Sequence, residues 1–232
     1  MIAPTTVIVG GTRGLGRRLA ERFAQEGRTV VLTGRDPAVA AQVAGEVGGA
    51  ARGVGVDLAE PHAIASALAE IGPVDQVVIT AVERDSNSVR DYNLERAVRL
   101  ATIKLVGYTE VLHCLRERLG DRSAVLLFGG LAKDRPYPGS TTVTSVNGAV
   151  STMVRTFAIE LAPVRVNAIH PGIVGDSEAW VNNAQMLDRV MERTPTGRLI
   201  TVQDVTDAAI FLLSNPAVNG VNLAVDGGWM ML

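Results

Sequence analysis

The stretch Val9-Gly10-Gly11-Thr12-Arg13-Gly14-Leu15-Gly16 decides the fold. It follows a short β-branched run, Thr6 to Val9, and opens into a segment with Leu15, Leu19 and Phe23 on one helical face. A strand-to-helix turn this tight needs residues without a β-carbon, and so does close approach of a pyrophosphate. The helix N-terminus then presents free N–H groups and the positive end of its dipole to phosphates. The strand before and the helix after set this apart from a bare glycine-rich chain reversal.

Outward from the loop the same alternation recurs. Apolar runs at Thr29 to Thr33, Gly53 to Val56, Gln76 to Thr80, Ala124 to Phe128, Val164 to Ile169 and Val221 to Val225 read as strands buried on both faces. Helical stretches lie between them: Leu15 to Glu26, Pro37 to Val47, Pro61 to Ile71, Leu94 to Leu119, Val143 to Leu161 and Gln203 to Ser214. The pattern predicts an α/β fold, a single Rossmann-type doubly wound domain with a seven-stranded parallel sheet and helices on both faces. Residues 1–232 form that one domain. A long polar break around 173–197, with Trp180 and Met186, is expected to be a substrate flap with some helix.

Composition excludes several functions. The chain has 232 residues, 22 basic against 24 acidic side chains, and a net charge of -2, which argues for neither a nucleic-acid nor an anionic-membrane partner. With 47% hydrophobic and 20% charged residues it is not disordered. Cys114, the only cysteine, makes neither an internal disulfide nor a cysteine-based zinc site, and no His, Asp and Glu spacing suggests a metal. No apolar run reaches the roughly 18 residues of a membrane span, and MIAPTTVIVGG lacks the basic start of a signal peptide. A cytoplasmic protein acting on a small molecule is expected.

The second strand ends in VVLTGRD. NAD sites usually carry an acid here for the adenosine ribose. This chain has Gly34, then Arg35, with Arg13 inside the glycine loop. Two arginines can grip a ribose phosphate, so NADP(H) is expected over NAD. Asp36 reads as the cap of the next helix, with Pro37 in its first turn. Asp57 and Leu58 follow the third strand, where adenine should lie.

These features resemble the short-chain dehydrogenase/reductase family over nearly the whole chain. The glycine loop has the family's Gly-x-x-x-Gly-x-Gly spacing, with Val9 in place of the usual Thr. Ala158 to Gly172 (AIELAPVRVNAIHPG), Pro195 to Arg198 (PTGR) and Val225 to Gly228 (VDGG) are close to the family pattern. The resemblance implies NAD(P)(H) across the carboxyl ends of the strands. It assigns cofactor contacts to Gly10, Thr12, Arg13, Gly14, Leu15 and Gly16 in the loop and to Ala81 after the fourth strand. Asn147 and the run Pro171, Gly172 and Ile173 complete the set. It also implies a homodimer or homotetramer built on the long fourth and fifth helices.

The family's chemistry rests on an Asn, a Ser and a Tyr-x-x-x-Lys pair. Aligned through their neighbours, those positions carry Lys104, Gly130, Val143 and Asn147. Ile79 to Val82 replace the family's Asn-Asn-Ala-Gly, and Asp176 replaces a Thr. Valine donates no proton and glycine orients no carbonyl, so the catalytic residues are left unassigned. Lys104 is a candidate oxyanion stabiliser or proton donor, against a salt bridge with Asp85 or Glu83. Tyr137 with Lys133 offers a reversed pair in a loop, and His170 lies at the carboxyl end of the sixth strand. Asn147 can hydrogen-bond ribose hydroxyls without bringing charge. Three functions stay open: an atypical NADPH-dependent reductase, a redox-neutral isomerase or cyclase, and a non-catalytic NADP(H)-binding pseudoenzyme.

Overall fold

A computed structural model describes residues 3–178 and 180–232; Ala179, inside the expected flap, lies outside the described residues. The strands are β1 (Thr5–Val9), β2 (Thr29–Gly34), β3 (Ala50–Gly55), β4 (Val74–Ile79), β5 (Leu119–Phe128), β6 (Arg165–Pro171) and β7 (Asn222–Val225). All pair in parallel, in the order β3-β2-β1-β4-β5-β6-β7. The chain order reverses between β1 and β4, which opens a crevice at their carboxyl ends.

The helices are α1 (Gly14–Gln25), α2 (Pro37–Val47), α3 (Pro61–Ala67), α4 (Leu94–Ala101), α5 (Tyr108–Leu115), α6 (Thr141–Glu160), α7 (Ala184–Glu192) and α8 (Val202–Ser214). They cover the sheet in two layers. One core packs Leu112, Val150 and Val154 against Val77 and Leu127; the other packs Leu19, Phe23 and Leu212 against Ile8 and Leu126. Alternate residues of β1 and β5 thus serve opposite faces. Asp36 caps α2 as expected, accepting from the N–H groups of Ala38 and Val39 at 2.8 and 3.3 Å.

Four boundaries differ from the sequence expectation. β3 begins at Ala50 rather than Gly53, because it is an edge strand with none of its residues fully buried and shows no continuous apolar run. β5 begins at Leu119, its first polar residues standing out in water. α3 stops at Ala67, with only Ile64 of its own residues buried. The long fourth helix is not continuous: Thr102–Gly107 is π-helical and joins α4 to α5. Such widened turns are frequent at functional sites. Among the described residues no helix is long and apolar enough to cross a membrane.

Candidate active site

The glycine loop closes over the ends of β1 and β4. Gly10 has φ +89°, and a β-carbon on it would stand 2.7 Å from the Ala81 nitrogen. Gly16, in the first turn of α1, lies so close that its β-carbon would meet the Gly10 carbonyl at 2.2 Å. Thr80 ties the two strand ends, its hydroxyl donating to the carbonyl oxygens of Val9 and Gly10 at 3.2 and 3.0 Å. Arg13 precedes α1 with no side chain capping the helix, so the first N–H groups of α1 face outward without acceptors from a cap. Nothing stands within 4 Å of the place a Gly14 side chain would fill. An open, uncapped helix start of this kind fits a pyrophosphate.

Beside the ends of β2 and β3 lies a charge network that sequence reasoning missed. Arg35 Nη1 lies 3.0 Å from Glu83, and Arg99 binds the same carboxylate at 2.7 and 2.8 Å. Arg99 also reaches Asp57 at 3.3 Å. The Arg99 guanidinium holds the Glu83 carboxyl below the usual carboxylate range, and Glu83 in turn raises Arg99. A β-carbon on Gly34 would stand 2.5 Å from Thr12 Cγ2, so a side chain there requires Thr12 to move. Leu58 is buried in the core, and its backbone carbonyl lies against Gly107. Pro171, Gly172 and Ile173 follow at the end of β6, with the Gly172 N–H donating to Val225 at 2.9 Å.

At the centre of the crevice two glycines give room to two polar side chains. A β-carbon on Gly129 would stand 2.3 Å from His170 Nδ1, and one on Gly130 would stand 2.9 Å from Asn147 Nδ2. Asn147 is 6% exposed, and its amide has no hydrogen-bond partner among the described residues. Val143 lies one turn before it on α6. The hydroxyl of Thr144 is spent on the Ala132 carbonyl and that of Ser145 on Thr141.

Lys104 lies in the π-helical turn with 2% exposure. Its Nζ donates to Tyr108 Oη and to the Phe128 carbonyl, each at 2.7 Å. Tyr108, fully buried, donates in turn to the Ala81 carbonyl at 2.8 Å. Burial lowers the Lys104 pKa to about 7 and pushes the Tyr108 phenol up, so Tyr108 keeps its proton. The expected salt bridge to Asp85 or Glu83 does not form. Glu83 is held by arginines, and Asp85 pairs with Arg96 at 2.8 Å, since α4 turns those arginines towards the loop after β4. Tyr108 was not anticipated; its signal was the four-residue spacing from Lys104, which puts the two on one helix face.

Of the other two candidates, Tyr137 is displaced from the centre. Tyr137 is 54% exposed, and among the described residues its hydrogen bonds are backbone ones with Ser140. Lys133 pairs with Asp134 instead. His170 is buried under α6; Nε2 meets Asn222 Oδ1 at 2.9 Å, and burial lowers its pKa. Over the crevice, Arg84 from the loop after β4 stacks on Trp180 of the flap, 4.9 Å from the ring centre. The stretch expected to be a flap contains α7, and next to it Val174 pairs with Ile200.

Residues 9–230 match the family model described as enoyl-(acyl carrier protein) reductase. A protein of Xanthobacter autotrophicus named inactive 2-(S)-hydroxypropyl-CoM dehydrogenase 2 is 32% identical, over 90% of this chain and 98% of its own. A 3-oxoacyl-acyl-carrier-protein reductase of Aquifex aeolicus is 31% identical, over 96% of each chain. The crystal structure of a Brucella melitensis 3-ketoacyl-acyl-carrier-protein reductase complexed with NADH superposes with a TM-score of 0.85 at 28% identity, covering 99% of both chains. With these similarities and a seven-stranded parallel sheet around a glycine-rich cradle, the chain belongs to the short-chain dehydrogenase/reductase family.

Proposed function

We propose that this chain is an NADP(H)-dependent reductase whose active centre departs from the family's. The observation that carries the reading is the pairing of a crowded Gly34 with an exposed Arg35. Thr12 crowds the β-carbon position of Gly34, where NAD-type sites carry an acid, while the next residue offers a guanidinium to a ribose phosphate. Arg35 and Arg13 would hold that phosphate, and the N–H groups of Gly14, Leu15 and Gly16 the pyrophosphate. Asp57 and the Leu58 backbone would flank the adenine. Ala81, Asn147 and the run Pro171 to Ile173 would line the nicotinamide end. A reduced nicotinamide bound there supplies a hydride.

The family's tetrad falls on Lys104, Gly130, Val143 and Asn147, so the usual tyrosine acid is missing on this reading. Losing a positioned acid removes roughly 10²- to 10⁴-fold in rate. The reaction therefore uses an activated acceptor or another proton source. Exposed Val98 and Val106 along α4 and the π turn, with Ile159 at the end of α6, support a homo-oligomer through those helices.

Fluorescence titration with NADPH and with NADH tests the cofactor. Tight binding with an NADPH preference that Arg35→Ala abolishes is expected; binding of neither overturns the reading. NADPH oxidation with a panel of activated carbonyls, enones and imines tests the chemistry. Binding without oxidation favours a second reading, a non-catalytic nucleotide-binding protein. The name of the Xanthobacter relative supports that alternative.

A further inference from the structure

One feature of the crevice is not accounted for by cofactor binding: a buried lysine with no carboxylate in contact. Among the described residues Lys104 forms no ion pair, and its partners are a phenol and a backbone carbonyl. An ammonium carries three N–H groups, and two are used here. A tie between the ends of β4 and β5 needs no charge. Apolar replacement of buried ions is often neutral or stabilising, so a bare structural role leaves the ammonium unexplained.

The other candidate proton carriers at this end of the sheet differ from Lys104 in setting. His170 is held by Asn222 at Nε2 alone, and its Nδ1, against Gly129, has no hydrogen-bond partner among the described residues. Tyr137 stands in solvent, and Lys133 is paired with Asp134. The lysine's carbonyl partner, Phe128, is two residues before Gly130, where the crevice wall has no side chain.

We infer that Lys104 is the proton store of the reductase reaction and that Tyr108 is the residue positioning it. This rests on the reductase reading above. Hydride addition to a carbonyl carbon turns the C=O π pair into a lone pair on oxygen. The Lys104 ammonium gives one proton, through a water, to that oxygen. The neutral amine left behind takes its proton back from solvent. Overall a carbonyl, a reduced nicotinamide and one proton become an alcohol and an oxidised nicotinamide.

The surroundings suit a lysine that gives up its proton. Tyr108 faces it from α5, and His170 on β6 feels its charge. α3 carries only exposed His62, and α6 only exposed Arg155 and Glu160. Glu83 and Asp85, on the loop after β4, are held by arginines. Burial brings the amine to about 7, so the charged form fades as pH rises through neutrality.

The test follows the lysine ε-carbon NMR resonance and the pH dependence of NADPH oxidation by trifluoroacetophenone, in the full chain. In the wild type the Lys104 resonance should titrate near neutrality, and the rate should fall above the same pH. Tyr108→Phe removes an acceptor from the ammonium and should move both downward together by about one pH unit. Lys104→Met should lower the rate roughly 10²- to 10⁴-fold and remove the break. Should that variant fail to fold, Tyr108→Phe alone decides. A Lys104 resonance in the ordinary lysine range overturns the inference, as does a rate break that stays while the resonance moves. NADPH that binds but is oxidised by no activated carbonyl, enone or imine overturns the reductase reading and the store together. Oxidation whose break ignores Tyr108→Phe overturns the store alone.

Discussion

Asn147 on α6 occupies the space beside Gly130 at the end of β5: a β-carbon on Gly130 would approach the Asn147 amide nitrogen to 2.9 Å. On the alignment proposed above, these are the positions where the family pattern has a lysine and a serine. Each fits because of the other. A side chain at Gly130 requires the Asn147 amide to move aside, which couples the two positions through space.

Gly130→Ser should therefore destabilise the protein by about 1 kcal/mol through overpacking. In an Asn147→Ala background the penalty should vanish. A double-mutant cycle by urea denaturation reads the coupling, expected at about 0.5–3 kcal/mol for side chains in contact. Additive effects would show that the asparagine and the glycine do not compete for space.

Lys104 makes stability depend on pH in a defined direction. Its folded value is about 7, against roughly 10.4 in an unfolded chain. Between these values the unfolded chain binds more protons, so stability rises with pH across that window. Below it the whole cost of burying the ammonium is present. Lys104→Met should stabilise by about 1–4 kcal/mol near pH 6 and progressively less towards pH 10. A gain that stays constant across this range would mean that the lysine is solvated in the folded state.

The Arg35–Glu83 pair is exposed, with 60% of the arginine side chain in water. Arg35→Ala should change stability by less than about 1 kcal/mol. A lost charge-assisted bond to a ribose phosphate is worth about 1.5–3 kcal/mol, so NADPH affinity should fall by roughly 10- to 100-fold with NADH unaffected. Equal loss for both nucleotides would place Arg35 away from the phosphate.

Gly53 separates fold from site. Its β-carbon would stand 2.1 Å from the backbone carbon of Ala40, where β3 packs on α2. Gly53→Ala should cost about 1–3 kcal/mol. Its folded fraction should keep the NADPH affinity of the wild type, because the contact lies outside the proposed cofactor cradle. A thermal melt together with a titration checks both halves.

Local pattern determined most of the architecture. Seven apolar runs, the helices between them and the glycine loop are readable in sequence because strand and helix periods are properties of adjacent residues. The Asp36 cap is equally local, spanning two or three residues. Where a strand lies at an edge or starts in solvent, as β3 and β5 do, no apolar run marks its first residues, and its beginning is lost. The glycine loop is legible for the same reason, since its tight strand-to-helix turn is built from neighbouring residues.

The charge state of the centre was decided by tertiary structure. Arg35 and Glu83 are 48 residues apart, Lys104 and Phe128 are 24 apart, and Tyr108 and Ala81 are 27 apart. No local rule brings them together. Sequence named Lys104 as a candidate but offered it a carboxylate partner; the packed protein gives it a phenol and a carbonyl and removes the water around it. Desolvation depends on everything folded over a group, and that is a property of the whole sheet and its helices rather than of any stretch of chain.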